Sequence, residues 1–349
     1  LDLKSSGTEL NMKYKSVIVT ARGGPEVLKV VEYDLNPPGP DKARIKILAS
    51  QVCAPDITAR YGQSPFIPKP PYTPGYAFIG IVDAIGPGVE GINIGDRVAA
   101  LTAYGSYAEF IEWDADQLIP VPESLDPAEA VPLILNYIVA YHVMHRWAKV
   151  KTGDKVLIIG ASGGIGTALL QLGSLAGLKM YGVASASKHD ILTEYGATPI
   201  DYHTQDFVDV LKDAEPHGLN AVFEGMAGDY FKRAFSVLGH GGTIVGYGNP
   251  LSITGMFKVL GRVALYTLLP NGRSAKYYST GIFHLNWDMF LEDWAELFRL
   301  MEVGKIKPVI AARFPLLEAA QANQMLEDGQ VIGNIVLEAA ECQQSQLLT

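Results

Sequence analysis

VLIIGASGGIGTALLQL, residues 156–172, decides the fold. An unbroken apolar run of the kind found in a strand buried on both faces enters a cluster of glycines and continues as a helix with an apolar face. That strand–glycine–helix context is what a dinucleotide fingerprint demands. Glycine lets backbone approach a pyrophosphate, and the helix N-terminus offers free N–H groups and a partial positive charge. Ala161 stands where the strict pattern has its first glycine, so the stretch reads AxGGIG, with Gly163 and Gly166 making the close approaches. A tight turn whose glycines serve packing alone is the competing reading, and the neighbouring sequence disfavours it.

On either side of this stretch the chain changes texture. From residue 137 to 280, buried strands alternate with helices (KMYGVAS, KHDILTEYGA, AVFEGM, YFKRAFSVLG, GTIVGYG), the signature of an α/β doubly wound parallel sheet. Residues 16–120 run instead as short β-rich pieces (SVIVTA, RIKILAS, FIGIVDAIG, DRVAAL, SYAEFIEW) broken by Gly and Pro, which predicts a mostly antiparallel, barrel-like unit. After residue 280 two helices and a last strand, NIVLE, follow, and that strand is expected to return to the first unit. The expected domains are therefore 12–136 with 281–340, and 137–280, in keeping with the two domains that 349 residues suggest. Residues 1–11 and 341–349 read as disordered extensions, with Met12 as a natural start.

With 48% hydrophobic residues and a formal net charge of −9, the chain reads as a globular protein with no broad basic field for nucleic acid or anionic lipid, although a local cationic pocket stays open. Two cysteines, Cys53 and Cys342, make no disulfide framework, and no secretory leader opens the sequence; a reducing, cytoplasmic setting is expected. The apolar segment at 251–270 raises the membrane question, but Lys258 and Arg262 interrupt it well short of the ~20 apolar residues a span needs. It is read as a buried helix or lid.

The strand KMYGVAS ends at Ser185, about 20 residues past the glycine loop, where an NAD-binding unit carries an acid for the ribose 2′-hydroxyl. No acid stands there. Ser185 and Lys188 offer a hydroxyl and an ammonium, which suit a 2′-phosphate and favour NADPH over NAD.

These motifs, together with GGPEVLKV (23–30), VCAPD, PYTPGYAFIGIVDAIGPGV, NIGDRVAA, GSYAEF, KIKPVIAARFPL and GNIVLE, resemble the medium-chain dehydrogenase/reductase superfamily, specifically its zinc-free quinone oxidoreductase branch, over nearly the whole chain. The resemblance implies a GroES-like catalytic domain built from both chain ends, an inserted Rossmann domain, and a homodimer joined through the coenzyme domains. It implies that Ser162, Gly163, Gly164 and Ile165 hold the pyrophosphate, that Ser185, Lys188 and Tyr202 surround the 2′-phosphate, and that Tyr247, Gly248 and Asn334 lie toward the nicotinamide or the far end of the cofactor.

Zinc-dependent relatives place a ligand where Cys53 stands, three residues before Asp56. A catalytic zinc needs about three protein ligands. The second ligand slot here reads Gly75-Tyr76-Ala77 and the third falls near Asn136, so no metal is expected. His142 and His145 lie three apart on a predicted helix, with no carboxylate or thiolate partner evident in the sequence.

Without a Lewis acid, alcohol oxidation loses its means of polarising the C–O bond, whereas an electron-poor acceptor can still take a hydride. The expected activity is NADPH-dependent reduction of quinones or α,β-unsaturated carbonyls. Cys53, Tyr61 and Tyr76 are the candidate catalytic residues, Arg60 and Ser64 further polar candidates, and Asp56 a loop anchor. The competing readings are an enoyl thioester reductase, weakened because Gly62-Gln63-Ser64 lacks the tyrosine such enzymes use, a cofactor-binding protein with little catalysis, and, resting on Cys53 alone, a zinc alcohol dehydrogenase.

Overall fold

The computed structural model describes residues 12–64, 67–226, 228–248, 253–281, 286–340 and 342. The expected extensions at 1–11 and 341–349 lie outside the described residues, Cys342 apart. Seven strands come first: β1 (Lys13–Val19), β2 (Leu28–Asp34), β3 (Lys42–Val52), β4 (Ala77–Ile85), β5 (Arg97–Leu101), β6 (Phe110–Asp114) and β7 (Ile119–Pro120). Six more follow the glycine-loop region: β8 (Lys155–Ile159), β9 (Lys179–Ala184), β10 (Ala197–Asp201), β11 (Leu219–Glu224), β12 (Leu238–Tyr247) and β13 (Ser274–Tyr278). β14 (Ile310–Pro315) and β15 (Asn334–Glu338) close the chain.

The first and last groups share one seven-stranded sheet. Its path is β14-β15-β3-β4-β5-β7, with β6 also paired to β3, and the pairings are antiparallel except β14 with β15. The last strand thus returns to the first domain, as its sequence predicted: Ile335 pairs with Val52. β1 and β2 form a separate antiparallel ribbon.

The middle group is a six-stranded, all-parallel sheet in the order β10-β9-β8-β11-β12-β13. This is the Rossmann order, and the direction of winding reverses between β8 and β11. A crevice opens at such a point because the connections after the two strands leave toward opposite faces, and ligands of open α/β sheets bind there. Both faces of the sheet are covered. Val156 and Ile158 of β8 point into one apolar cluster, and Leu157 and Ile159 into the other. That is why β8 reads as continuous rather than alternating hydrophobicity.

One helical run over residues 127–148 joins the domains and crosses the boundary expected after residue 136. Asp126 caps its start by accepting from the Glu129 amide at 2.9 Å. Its register widens to π-type turns at Leu133–Tyr137 and His142–Ala148, which rotates the side chains that follow. Trp294, from the helix Trp287–Glu302, packs against it and donates its indole N–H to the Ile134 carbonyl at 3.3 Å.

The segment expected as a buried helix or lid is a helix, but it is not buried among its described residues. Ile253–Leu268 is a helix lying outside the Rossmann sheet. Val263 and Tyr266 pack inward, Tyr266 stacking on Phe235 at 4.4 Å, but much of the opposite side is bare.

Candidate active site

The cleft lies at the switch point. The ends of β8 and β11 supply Ile159, Gly160, Gly225 and Met226; the catalytic domain supplies Val52, Cys53, Pro55 and Tyr76; Asn136 and Gly333 close it, around about 250 Å³.

One of its walls is a glycine turn followed by the helix Gly164–Leu175. The left-handed position in that turn, φ +76°, belongs to Gly160, not to the position of Ala161. The apparent defect at Ala161 is therefore a matter of register. Gly160 takes the turn, and the glycines repeat at 160, 163 and 166, a three-residue spacing that the sequence offers once the end of β8 is fixed. A Cβ on Gly166 would stand 2.3 Å from the Gly160 carbonyl oxygen, so glycine there is what lets helix and strand touch. A Cβ on Gly164 would stand 2.1 Å from the Asn136 amide nitrogen and 2.8 Å from Asn334 Oδ1.

Asn334 is fully engaged. Its Oδ1 accepts from Asn136 Nδ2 at 2.7 Å and Gln51 Nε2 at 3.1 Å, while its own Nδ2 donates to the Val309 carbonyl at 3.0 Å. The structure thus places Asn334 behind the cleft wall as the residue that orients Asn136. Next to it, the Gly333 amide donates to the Ser162 carbonyl at 2.9 Å, tying the catalytic-domain strand to the glycine loop.

Cys53, Tyr76, Gly163, Gly164, Ile165, Tyr247 and Gly248, all expected at the site, line this cleft. Tyr61 does not. Its hydroxyl points to Glu327 at 3.4 Å, and Arg60, almost wholly buried, is paired with the same carboxylate and with the Gly23 carbonyl. The reading of Tyr61 and Arg60 as groups that orient a substrate carbonyl is corrected on this point: Arg60 is held by its ion pair with Glu327 and the Tyr61 hydroxyl by a hydrogen bond to the same carboxylate, and neither lines the cleft.

Ser185, Lys188 and Tyr202 sit together at the ends of β9 and β10, whose last residues Ala184 and Asp201 are register partners. Tyr202 is exposed and lies against His203, the two rings tilted by 39° with centroids 4.1 Å apart. Lys188 Nζ donates to the carbonyls of Gly329 at 2.7 Å and Val331 at 3.0 Å, bridging to the catalytic domain; partial burial lowers its pKa. An ammonium has three donors, so one remains for an anion.

Cys53 precedes the helix Ala54–Arg60 and shares a reciprocal cap with Asp56. Asp56 is a buried acceptor for four donors: the Cys53 amide at 2.9 Å, the Cys53 thiol at 3.0 Å, the Tyr107 hydroxyl at 3.0 Å and the Gly75 amide at 3.1 Å. Burial, reinforced by the Asp56 charge, pushes the Cys53 thiol well above its ordinary pKa, and burial likewise raises Tyr107 and Asp56 itself. Cys53 is accordingly a thiol that donates to Asp56. With Tyr76 and an amide-engaged Asn136 in the other ligand slots, these residues do not fit a catalytic zinc. Among the described residues no group of three or more His, Cys, Asp or Glu is arranged to hold a metal ion.

His142 has the carboxylate partner that was not evident in the sequence. Asp293, from the helix Trp287–Glu302, lies 2.8 Å from its Nε2 and is also clasped by Arg146, while Tyr278 meets its Nδ1 at 3.1 Å. Burial opposes ionisation of Asp293, but hydrogen bonds from His142 and Arg146 hold its pKa below the ordinary value. The cluster joins two helices and a strand. Met226, Ser279 and Thr280 are cleft residues that no motif singled out.

A Rossmann sheet inserted between the two halves of a GroES-like sheet, with its crevice facing Cys53 and Tyr76, defines a two-domain dehydrogenase-type fold. Family models match in both parts, an alcohol dehydrogenase GroES-like domain over residues 39–123 and a zinc-binding dehydrogenase over 195–337. The synaptic vesicle membrane protein VAT-1 homolog of Rattus norvegicus is 31% identical over 337 residues, covering 93% of this chain and 83% of that protein. The quinone oxidoreductase of Pongo abelii is 30% identical over 333 residues, covering 93% and 97%. The crystal structure of Escherichia coli quinone oxidoreductase complexed with NADPH superimposes with a TM-score of 0.83 at 25% identity, covering 93% of this chain and 99% of that one. The chain belongs to the medium-chain dehydrogenase/reductase superfamily of oxidoreductases, in its quinone oxidoreductase-like branch.

Proposed function

We propose that the protein is a metal-free, NADPH-dependent reductase of quinones or other activated α,β-unsaturated carbonyls. The observation that carries this reading is the switch-point cleft: a glycine turn and helix N-terminus on one side, and on the other Cys53, Tyr76 and Asn136 in slots that would hold zinc in a metal-dependent relative.

The residues present fit a dinucleotide. Gly160 opens the turn with its positive φ, and the amides that begin the helix at Gly164 face an anion with no partner of their own in the helix. Lys188 and Ser185, with Tyr202 beside them, supply an ammonium and a hydroxyl that favour a 2′-phosphate. NADPH bound there supplies a hydride. Tyr247 and Gly248, at the end of β12, and the segment after Tyr278 wall the cleft where the nicotinamide would reach. Tyr76 is the polar side chain on the catalytic-domain wall that orients an acceptor oxygen, while the Cys53 thiol, directed at Asp56, fills space and excludes water. Proton delivery is left to solvent at the open side of the cleft. Two subunits joined through the coenzyme domains are the proposed assembly, in the cytoplasm.

Stopped-flow measurement of NADPH oxidation with a panel of quinones and enones tests the proposal, with turnover expected for at least one class. Binding of NADPH without turnover of any acceptor would refute the catalytic part and leave a cofactor-binding protein. Turnover confined to crotonyl-type thioesters would move the assignment to enoyl thioester reduction.

A further inference from the structure

The charge of this chain is strongly segregated. Between Tyr230 and Trp287 the sequence contains Lys232, Arg233, Lys258, Arg262, Arg273 and Lys276 and no aspartate or glutamate, within a chain of formal net charge −9. The middle of this stretch is the surface helix Ile253–Leu268. Phe257, Leu260, Leu265 and Leu268 are 65%, 52%, 59% and 81% exposed, although they are among the most apolar residue types. At about 100° per residue, Phe257, Leu260, Ala264 and Leu268 fall on one stripe, roughly opposite Val263 and Tyr266, which face the sheet. Leu265 widens the stripe on the side where Lys258 and Arg262 lie. Leu269, 38% exposed, extends it beyond the helix end.

We infer that this helix is a docking surface for an anionic lipid bilayer, lying in the interface without crossing it. No helix among the described residues is long and apolar enough to cross a membrane. A bare apolar stripe edged by cations, with the other side of the helix anchored in the protein, is the arrangement that partitions into the headgroup region. Apolar burial and attraction to acidic headgroups then act together, whereas a two-fold contact of this face with the same face of a second copy would bring Lys258 and Arg262 against like charge. The helix lies beside the cleft rim: Arg262 donates to the Gly228 carbonyl at 3.1 Å, two residues beyond Met226, which lines the cleft and is exposed. Whole-chain charge hides this feature because the carboxylates lie elsewhere in the sequence.

Flotation of the full chain with vesicles tests the inference. With vesicles of phosphatidylcholine containing about one third phosphatidylserine the protein is expected to float at low salt, and with phosphatidylcholine alone to float at least about fivefold less. Phe257→Ser combined with Leu268→Ser should lower the bound fraction about tenfold or more, and Lys258→Glu about fivefold, with thermal midpoints within a few degrees of the parent because these side chains are exposed. Absence of flotation with either vesicle, or equal flotation of the parent and the apolar variant, would overturn the inference. So would a variant that changes the sedimenting mass with no change in vesicle binding, which would assign the face to contact between protein chains.

Discussion

Replacing Lys188 by alanine separates two functions of one ammonium. Two of its N–H groups hold the Gly329 and Val331 carbonyls, and the third is free for a 2′-phosphate. Losing the carbonyl contacts loosens the junction between domains and should weaken NADPH and NADH alike, since both share the pyrophosphate and the loop beside it. Losing the phosphate contact affects NADPH alone. A charge-assisted hydrogen bond contributes ~1.5–3 kcal/mol, so the ratio of the two dissociation constants should shift by roughly 10- to 150-fold toward NADH. Nicotinamide fluorescence titrations of parent and Lys188→Ala with both cofactors supply that ratio, and thermal midpoints report the structural part. An unchanged ratio, however large the common loss, would refute the assignment of Lys188 to the 2′-phosphate and leave it as a clamp between domains.

Three other substitutions probe the cleft and the sheet. Gly164→Ala would stabilise an isolated helix by up to ~1 kcal/mol, but here the new methyl strikes the Asn136–Asn334 amide pair. A loss of ~1–3 kcal/mol in denaturant unfolding, with weaker NADPH binding, is expected, and a gain in stability would contradict the geometry. Cys53→Ser should keep NADPH affinity within about twofold and lower turnover only modestly, because a hydroxyl can still donate to Asp56; steady-state kinetics showing abolished turnover with intact binding would make Cys53 catalytic. Glu215, buried against Lys155, Lys179 and Tyr181, is held at about 2 despite the opposing effect of its burial, against an ordinary 4.5. A depressed carboxylate stabilises the fold above its unfolded value, so that contribution should be present at neutral pH and lost as pH falls from 4.5 toward about 2. Glu215→Gln should flatten the dependence of the thermal midpoint across that window, and an unchanged acid limb would refute the assignment.

Local pattern carried the class of fold. The apolar run at 156–159, the glycines behind it and the recurring strand–helix alternation announced the parallel sheet, since a strand covered on both faces must be apolar at every position. It also carried the departure from a zinc site, because Tyr76 and Asn136 are chemically poor ligands wherever they fold. Neither Tyr61 nor Arg60 could be judged that way. Their direction depends on Glu327, far away in the chain, and an ion pair made across that separation leaves no periodic trace in the sequence. The helix at 253–268 was misplaced for a related reason: hydropathy tells how apolar a segment is, while whether it is covered depends on what packs over it.

The sequence by itself determined the order of elements, the glycine turn, the missing acid after β9 and the missing metal ligands, all of which are properties of residue type and short spacing. Only the tertiary structure decided that Gly160 takes the left-handed turn, that Asn334 orients Asn136 and that Cys53 is a donor to Asp56. It alone showed Lys188 reaching the other domain and the helix stripe at Phe257 to Leu268 lying bare. Each of these turns on distance and burial between residues remote in the chain, and those are set by packing the two domains around the switch point of the Rossmann sheet.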